Sequence, residues 1–377
     1  MSGNLPEGWA LATLGEVVRL EYGRALSASA RDPGNIPVYG SNGVCGEHSA
    51  PLVPERGIVV GRKGTAGSVT VTTGPFWPID TTYYVVPRLD VDFDWLAATL
   101  EHARLHELNE STGVPGLNRD KAYLQSILLP PLDEQRRIAE VLRSVDEVIS
   151  FAEQSARSAR ATFNRIIDDL HGRYEDRSVP LADFCVPKGL QTGPFGSQLK
   201  VSDYVDDGIP VIMPSDLRAD GIDFSGAKST SPQKANQLPQ HHLKPGDILF
   251  SRRGDVEKCG LYFDGDPPAL CGTGCLRARI DVSKADPVLI YFLAQSDRCG
   301  SWLTQHAVGV TMPNLNTSIV GALPIPNLPL LEQRQWVDSL LLAEGACRVN
   351  ENYVGKAQML KRVLSSDLLS GRVRVPA

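Results

Sequence analysis

From residue 133 to residue 170 the chain runs without proline or glycine. Its apolar positions fall at Ile138, Leu142, Val145, Ile149, Ala152, Ala156, Ala159, Phe163, Ile166 and Leu170. The spacing alternates between four and three, the heptad seam of a coiled coil, and predicts one long helix. Pro130 and Pro131 precede it, Asp133 is placed to cap it, and Gly172 follows its end. At ~1.5 Å per residue the run spans about 57 Å. A second seam lies near the end of the chain, at Trp336, Leu340, Ala343, Cys347, Asn350, Val354, Ala357, Leu364 and Leu368. Lys361 interrupts it, and Leu360 and Val363 would take over if the register slipped by one residue. Asn350 puts a polar group in the seam, which fixes register at a cost in stability. Gly345 and Gly355 weaken this second helix, so packing against the first must hold it. Two such helices in one chain, each following a separate globular segment, most simply pair antiparallel.

The rest of the chain reads differently. The segment before each long helix is rich in Gly, Pro and β-branched residues, with short strand-like runs at 57–60, 68–72, 82–86 and 247–250. Loops between them carry turn chemistry, as in Tyr39-Gly40-Ser41-Asn42-Gly43 and Gly193-Pro194-Phe195-Gly196. A short helical patch is expected late in each segment, at 93–108 and 287–305.

The landmarks occur twice. Leu14-Gly15-Glu16-Val17-Val18 is echoed by Leu181-Ala182-Asp183-Phe184-Cys185, and Ile36-Pro37-Val38 by Ile209-Pro210-Val211. Ile58 to Gly64, with Arg62-Lys63, matches Ile248 to Gly254, with Arg252-Arg253. Gly113-Val114-Pro115-Gly116-Leu117-Asn118 resembles the stretch from Gly309 to Asn316, and Pro131-Leu132-Asp133-Glu134-Gln135-Arg136 matches Pro329-Leu330-Leu331-Glu332-Gln333-Arg334. The order is kept and the separation only grows, as in a duplication whose second copy has gained insertions. The expected fold is α+β, with two β-rich globular domains separated by two long antiparallel coiled-coil helices and a pseudo-two-fold internal duplication. The expected boundaries are 1–130 for the first domain, 131–172 for the first helix, 173–328 for the second domain, and 329–377 for the second helix and tail.

Composition narrows the class without deciding function. With 42% hydrophobic and 22% charged residues the chain reads as globular rather than disordered. No apolar run approaches the ~18 residues of a membrane span, and the first nine residues lack the pattern of a secretory signal. Seven irregularly spaced cysteines fit a reducing cytoplasm better than a disulfide framework. The net charge of −6 disfavours a free-standing nucleic-acid binder, so any DNA contact must come from local basic patches with help from partners.

On these residues the chain resembles the specificity (S) subunit of Type I restriction–modification enzymes, and the resemblance covers essentially its whole length. It is carried by Leu5-Pro6-Glu7-Gly8-Trp9 followed by Leu14-Gly15-Glu16, and by the loop Tyr39 to Gly43. In the second half it is carried by Thr192 to Ser197 and by Gly246-Asp247-Ile248-Leu249-Phe250. The paired Pro-Leu-x-Glu-Gln-Arg helix starts and the terminal Leu368-Leu369-Ser370-Gly371-Arg372-Val373 match most strongly. The resemblance implies two target-recognition domains, each reading one half of a bipartite, asymmetric double-stranded DNA sequence with a non-specific gap. The helices would set that gap and dock two adenine-N6 methyltransferase subunits, with two motor-nuclease subunits joining for restriction. It implies a non-catalytic chain with no cofactor of its own, S-adenosylmethionine and ATP with magnesium being used by the partners.

Candidate DNA contacts are the recurrent basic pairs Arg62-Lys63 and Arg252-Arg253, each followed by a glycine that lets the backbone approach a phosphate or groove. Contacts to phosphate and sugar outnumber those to bases, although arginine can also read guanine. Tyr39, Ser41 and Asn42 in the first copy, with Gln191, Ser197, Gln198 and Lys200 in the second, offer hydrogen-bonding side chains suited to base edges; the alternative for them is ordinary turn chemistry. His241-His242 reads as a solvated loop.

Signals for catalysis fail on inspection. Asp266-Pro267-Pro268-Ala269 lacks the aromatic of an adenine methyltransferase motif. Gly61-Arg62-Lys63-Gly64-Thr65 does not have phosphate-loop spacing, and His106-Glu107-Leu108-Asn109-Glu110 lacks the second histidine of a zinc protease motif. Cys271 and Cys275 have zinc-like spacing, but no second tight pair joins them, so buried thiols are expected. The alternatives are a Type IIB-like recognition subunit, a stand-alone DNA-binding regulator, and a coiled-coil scaffold.

Overall fold

A computed structural model describes residues 5–109, 115–218, 220–309 and 312–375. The chain divides into two compact units, Met1–Glu153 with Asn352–Ala377, and Gln154–Glu351.

The first unit is built on four antiparallel strands, β1 (Val18–Tyr22), β2 (Ile58–Gly61), β3 (Val69–Val71) and β4 (Thr82–Pro87), in the order β1-β4-β2-β3. Every residue of β2 is buried, which explains its continuous apolar run rather than an alternating one. Helix α1 (Phe93–His102) starts on Asp92, whose carboxylate accepts from the Asp94 and Trp95 amides. It buries Trp95, Leu96 and Leu100 in one core with Leu20, Ile58 and Val60. The patch expected at 93–108 is broken, because Arg104 takes a left-handed conformation at φ +48° and a short 3-10 turn, Leu105–Leu108, follows.

The second unit repeats the plan. Strands β5 (Cys185–Thr192), β6 (Asp247–Ser251), β7 (Cys259–Leu261) and β8 (Cys275–Ile280) run in the order β5-β8-β6-β7, the same topology as the first sheet. In each unit a short strand from the start of the copy pairs antiparallel with one just before the long helix: Ala10–Thr13 with Ser126–Leu129, and Ser178–Pro180 with Pro324–Pro326. The patch expected at 287–305 is two helices, α3 (Pro287–Ala294) and α4 (Asp297–His306), the second capped by Ser296.

The repeated Glu-Gln pair fastens each long helix to its own domain. Gln135 accepts from the Asp92 amide at 2.8 Å and donates to the Pro130 carbonyl at 2.9 Å. Gln333 does the same with the Asp286 amide at 2.7 Å and the Leu328 carbonyl at 2.8 Å. Asp92 and Asp286 are the caps of the helices that follow each sheet, so one buried amide ties helix start to helix start. Glu134, 2% exposed, accepts from the Trp9 indole at 2.8 Å and from both Arg374 donors, at 2.6 and 2.7 Å. Burial pushes its pKa up, but the Arg374 and Trp9 hydrogen bonds outweigh that and hold it below its ordinary value. Its counterpart Glu332 accepts from the Tyr174 hydroxyl.

The long helices are α2 (Leu132–Arg173) and α5 (Leu330–Leu369). α2 starts one residue before Asp133 and continues through Gly172, so Asp133 is not its cap. It sits in the first turn and faces Arg136 at 3.5 Å, while the Pro131 carbonyl takes the Glu134 and Gln135 amides. Within the first unit the helix segments pair antiparallel, as the Asp146–Lys361 ion pair at 2.7 Å and the Gln358–Glu153 hydrogen bond at 3.4 Å show. Ile138, Leu142, Leu364 and Leu368 belong to the core there. In the second unit Arg160 meets Glu351 at 2.6 Å, and Phe163, Ile166, Leu170, Trp336 and Leu340 join the core. Val145, Ile149 and Val354 are half-buried.

Two details of the seam differ from the sequence reading. Lys361 stays in register with its ammonium on Asp146, while Leu360 and Val363 are exposed, so no slip occurs. Asn350 donates to the Ala346 carbonyl of its own helix at 2.7 Å, which satisfies it locally.

Candidate nucleic-acid interface

The two basic pairs sit in loops of the same construction. Arg62 and Lys63 follow β2, and Arg252 and Arg253 follow β6. The Arg62 amide donates to the Thr81 carbonyl and the Arg252 amide to the Gly274 carbonyl, both at 2.8 Å. In return the Leu117 amide donates to the Arg62 carbonyl at 2.9 Å, and the Leu315 amide to the Arg252 carbonyl at 2.8 Å. Gly64 and Gly254 bond the Pro115 and Pro313 carbonyls with φ of +80° and +76°, the left-handed region that favours glycine. Each basic loop is therefore stitched to the other repeated motif, the stretch before Asn118 or Asn316. Residues 113–114 and 310–311 of that motif lie outside the described residues.

Side chains in the loop divide the same way in both copies. Arg62 and Arg252 are half-buried and anchored to backbone: Arg62 donates to the Asp80 carbonyl, with Nε at 2.9 Å, and Arg252 Nε donates to the Leu315 carbonyl at 3.3 Å. Lys63 and Arg253 are exposed. Among the described residues none of these four cations lies within ion-pair distance of a carboxylate.

Ser41 and Asn42 form the turn between the strands Ile36–Gly40 and Gly43–His48. The Ser68 hydroxyl, at the end of the basic loop, donates to the Ser41 carbonyl at 2.7 Å, and Ser41 lies against Gly64 of the same loop. Asn42 is exposed, while Tyr39 is buried, edge-on to Phe76 with ring centroids 5.8 Å apart. In the second copy Ser197 and Lys200 are exposed. Gln198 accepts from the Phe195 amide, and the Lys200 amide donates to Asp203. Gln191 is half-buried and accepts from the buried Arg277 at 3.0 Å, which commits its carbonyl oxygen. Burial first, then Arg279, pushes the Arg277 guanidinium below its usual pKa.

His241 is no solvated loop residue. It is 4% exposed and lies beside Arg277, because the 3-10 turn that carries it, Pro239–His241, is tied to β8 by the Arg277 guanidinium, which donates to the Gln240 carbonyl at 2.8 Å. Burial, then Arg277 and His242, lowers its pKa. Cys259, Cys271, Cys275 and Cys299 are buried, and burial raises the Cys271 thiol to about 12. Among the described residues no cluster of three or more His, Cys, Asp or Glu is placed to hold a metal, and no helix is long and apolar enough to cross a membrane.

Sequence reasoning missed the aromatic residues beside the basic loops. The Tyr22 ring, at the end of β1, lies 5.4 Å from the Arg62 guanidinium and 5.0 Å from that of Arg119. Behind it Tyr83, 5.1 Å away, has its phenol raised to about 12 by burial and then by Tyr22 itself. In the second copy Phe195 stands 5.9 Å from the Arg252 guanidinium. The available signal was an aromatic next to a glycine at or just beyond the end of the strand that opens each sheet.

Comparison with known proteins agrees with the doubled plan. The model of the Type I restriction modification DNA specificity domain matches residues 6–157 and again 190–341. The specificity subunit of type I restriction enzyme MjaVIII from Methanocaldococcus jannaschii is 22% identical over 291 residues, 73% of this chain and 68% of that protein. Among solved structures, the S subunit of a type-I restriction-modification system from M. genitalium is similar with a TM-score of 0.63 at 14% identity, over 98% of this chain and 97% of that one. A chain solved in work on complex assembly and conformational transition of the type I R-M system gives 0.59 at 16% identity, over 98% and 100%. At such identities these two likenesses concern the fold.

Proposed function

Because the chain belongs to the type I restriction–modification DNA specificity family, we propose that it is the subunit that reads a bipartite, asymmetric DNA target with a non-specific gap. The observation that carries this reading is the basic loop built twice on the same scaffold, whose cations have no carboxylate partner among the described residues in either copy. One such loop serves one half-site. Because the two copies carry different neighbouring residues, Ser41 and Asn42 in one and Ser197 and Lys200 in the other, the half-sites are expected to differ in sequence.

Partners supply the rest. The exposed apolar residues Leu342, Val349, Tyr353, Leu360 and Val363 on α5 repeat with heptad spacing, one residue out of phase with the buried seam. Leu342 and Val349 belong to the second unit and Tyr353, Leu360 and Val363 to the first, so each unit carries its own exposed apolar stripe, and Phe151 on α2 in the first unit is 71% exposed. Such stripes support docking of two adenine-N6 methyltransferase subunits, with two motor-nuclease subunits added for restriction. In this reading the chain performs no catalysis, and S-adenosylmethionine, ATP and magnesium act in the partners. Partner cations also answer the net charge of −6, which is unfavourable for a chain that binds DNA alone.

Methylome sequencing for N6-methyladenine, in strains with and without this gene, tests the reading. Loss of one gapped asymmetric motif is expected. An unchanged methylome in a strain that expresses the protein overturns the proposal.

A further inference from the structure

The arginine–aromatic pairs recur in the two copies, but the rings do not come from matching positions. Tyr22 pairs in register with Tyr83 on β4, and the residue that pairs with the corresponding Leu276 on β8 is Thr192. Phe195 lies three residues further on, in the loop. The same place beside the same arginine is thus filled from two different points of the chain. Inheritance of a common core contact does not explain that, whereas a common requirement for a ring at this place does.

Although Tyr22 also packs beside Tyr83 and Arg119, both rings leave about half of their surface to solvent. Tyr22 is 50% exposed and Phe195 55% exposed. Phe195 follows Gly193, where a Cβ would collide with the Gly272 carbonyl, so the base of its loop is pinned to the second sheet. It precedes Gly196, around which space is open, so its tip stands clear. Each ring therefore projects next to a guanidinium whose position is fixed by a backbone carbonyl and whose charge has no acidic partner among the described residues. A flat apolar surface beside an anchored cation matches the chemistry of a nucleotide whose base has left the stack, a bare π-face next to a phosphate.

We propose that Tyr22 and Phe195 are base-packing residues of the two recognition domains, each laying its exposed ring against a nucleobase of its own half-site that has been unstacked from the duplex, while Arg62 or Arg252 holds the adjoining phosphate. The inference rests on the DNA-reading function proposed above and adds the contact that is independent of charge.

Salt dependence separates this role from a merely structural one. Phosphate contacts release counterions and steepen the fall of affinity with salt, whereas ring packing does not. The full chain, co-purified with its methyltransferase subunits, is titrated by fluorescence anisotropy into a labelled duplex bearing the motif found by methylome sequencing. The titration is repeated from about 50 to 200 mM salt. Tyr22→Leu and Phe195→Leu are expected to weaken binding roughly 10- to 100-fold at every salt concentration, with an unchanged slope. Each should relax discrimination in one half-site only, and not the same one, because the cost of unstacking depends on the base step. Arg62→Ala and Arg252→Ala should make the slope shallower by about one. Tyr22→Phe and Phe195→Tyr keep the ring and should keep wild-type affinity. Full affinity in the leucine variants, a leucine effect that changes the slope (a ring that only props its arginine), or loss of affinity in the ring-keeping variants overturns the proposal. A wild-type complex that cannot tell the motif from a scrambled duplex instead removes the DNA-reading function on which it rests.

Discussion

At the scale of single residues, the most informative pair is Gln135 and Gln333. In the sequence they mark where a long helix starts; in the structure each closes a donor and an acceptor that lie in different elements. The partner amides of Asp92 and Asp286 stand more than forty residues upstream, so no local pattern reveals the bond. Replacing Gln135 with Leu fills much the same space but strands a buried N–H and a buried carbonyl. Each orphaned group costs about 1–3 kcal/mol, and we expect a thermal midpoint several degrees below wild type by calorimetry. Gln333→Leu should give a similar loss in the second unit, and a midpoint unmoved in either variant would mean that the motif does not anchor the helices. Tyr39 and Gln191 illustrate the same limit. Both look available for base edges in the sequence, and the fold sets one against Phe76 and the other against Arg277.

Secondary-structure elements were more legible, because periodicity is a local property. The heptad from Ile138 to Leu170 needs only one helix to be recognised, and the structure buries Ile138, Leu142, Phe163 and Leu170 as that spacing demands. Its flaw at Lys361 could not be interpreted in isolation, since the answer lies on the other helix at Asp146. The apolar stem stays in the seam and the ammonium reaches the edge, where it also faces Glu101, whose pKa burial raises. A partly exposed ion pair of this kind contributes roughly 0–1 kcal/mol, less than a well-buried leucine at the same place. Lys361→Leu is therefore expected to raise the stability of the first unit by about 1 kcal/mol. Lys361→Glu, which sets a third carboxylate beside Asp146 and Glu101, should lower it. Chemical denaturation of both variants measures the difference, and a destabilised leucine variant would show that the ion pair specifies the helix pairing.

For the whole molecule, duplication was the feature that made the sequence readable, because matching landmarks in one order need no knowledge of contacts. The two sheets share a strand order, and both basic loops are stitched to the same second motif. What duplication could not convey is which face each loop presents, since that depends on turns such as Gly193 to Gly196 whose geometry is set by distant backbone. The long helices carry the last prediction. If they set the gap between half-sites, a change must preserve the seam while altering the length. One extra heptad does so, because seven residues return the apolar positions nearly to phase. Inserted in both helices, near Ala156 in α2 and near Asn350 in α5, it adds about 10 Å of helix. DNA rises 3.4 Å per base pair along its axis, so the methylated motif should keep both half-sites and gain about three base pairs of gap. Methylome sequencing of a strain carrying the doubly lengthened chain reads this directly. The original gap retained in an active enzyme would mean that the spacing is set by the partner subunits rather than by these helices.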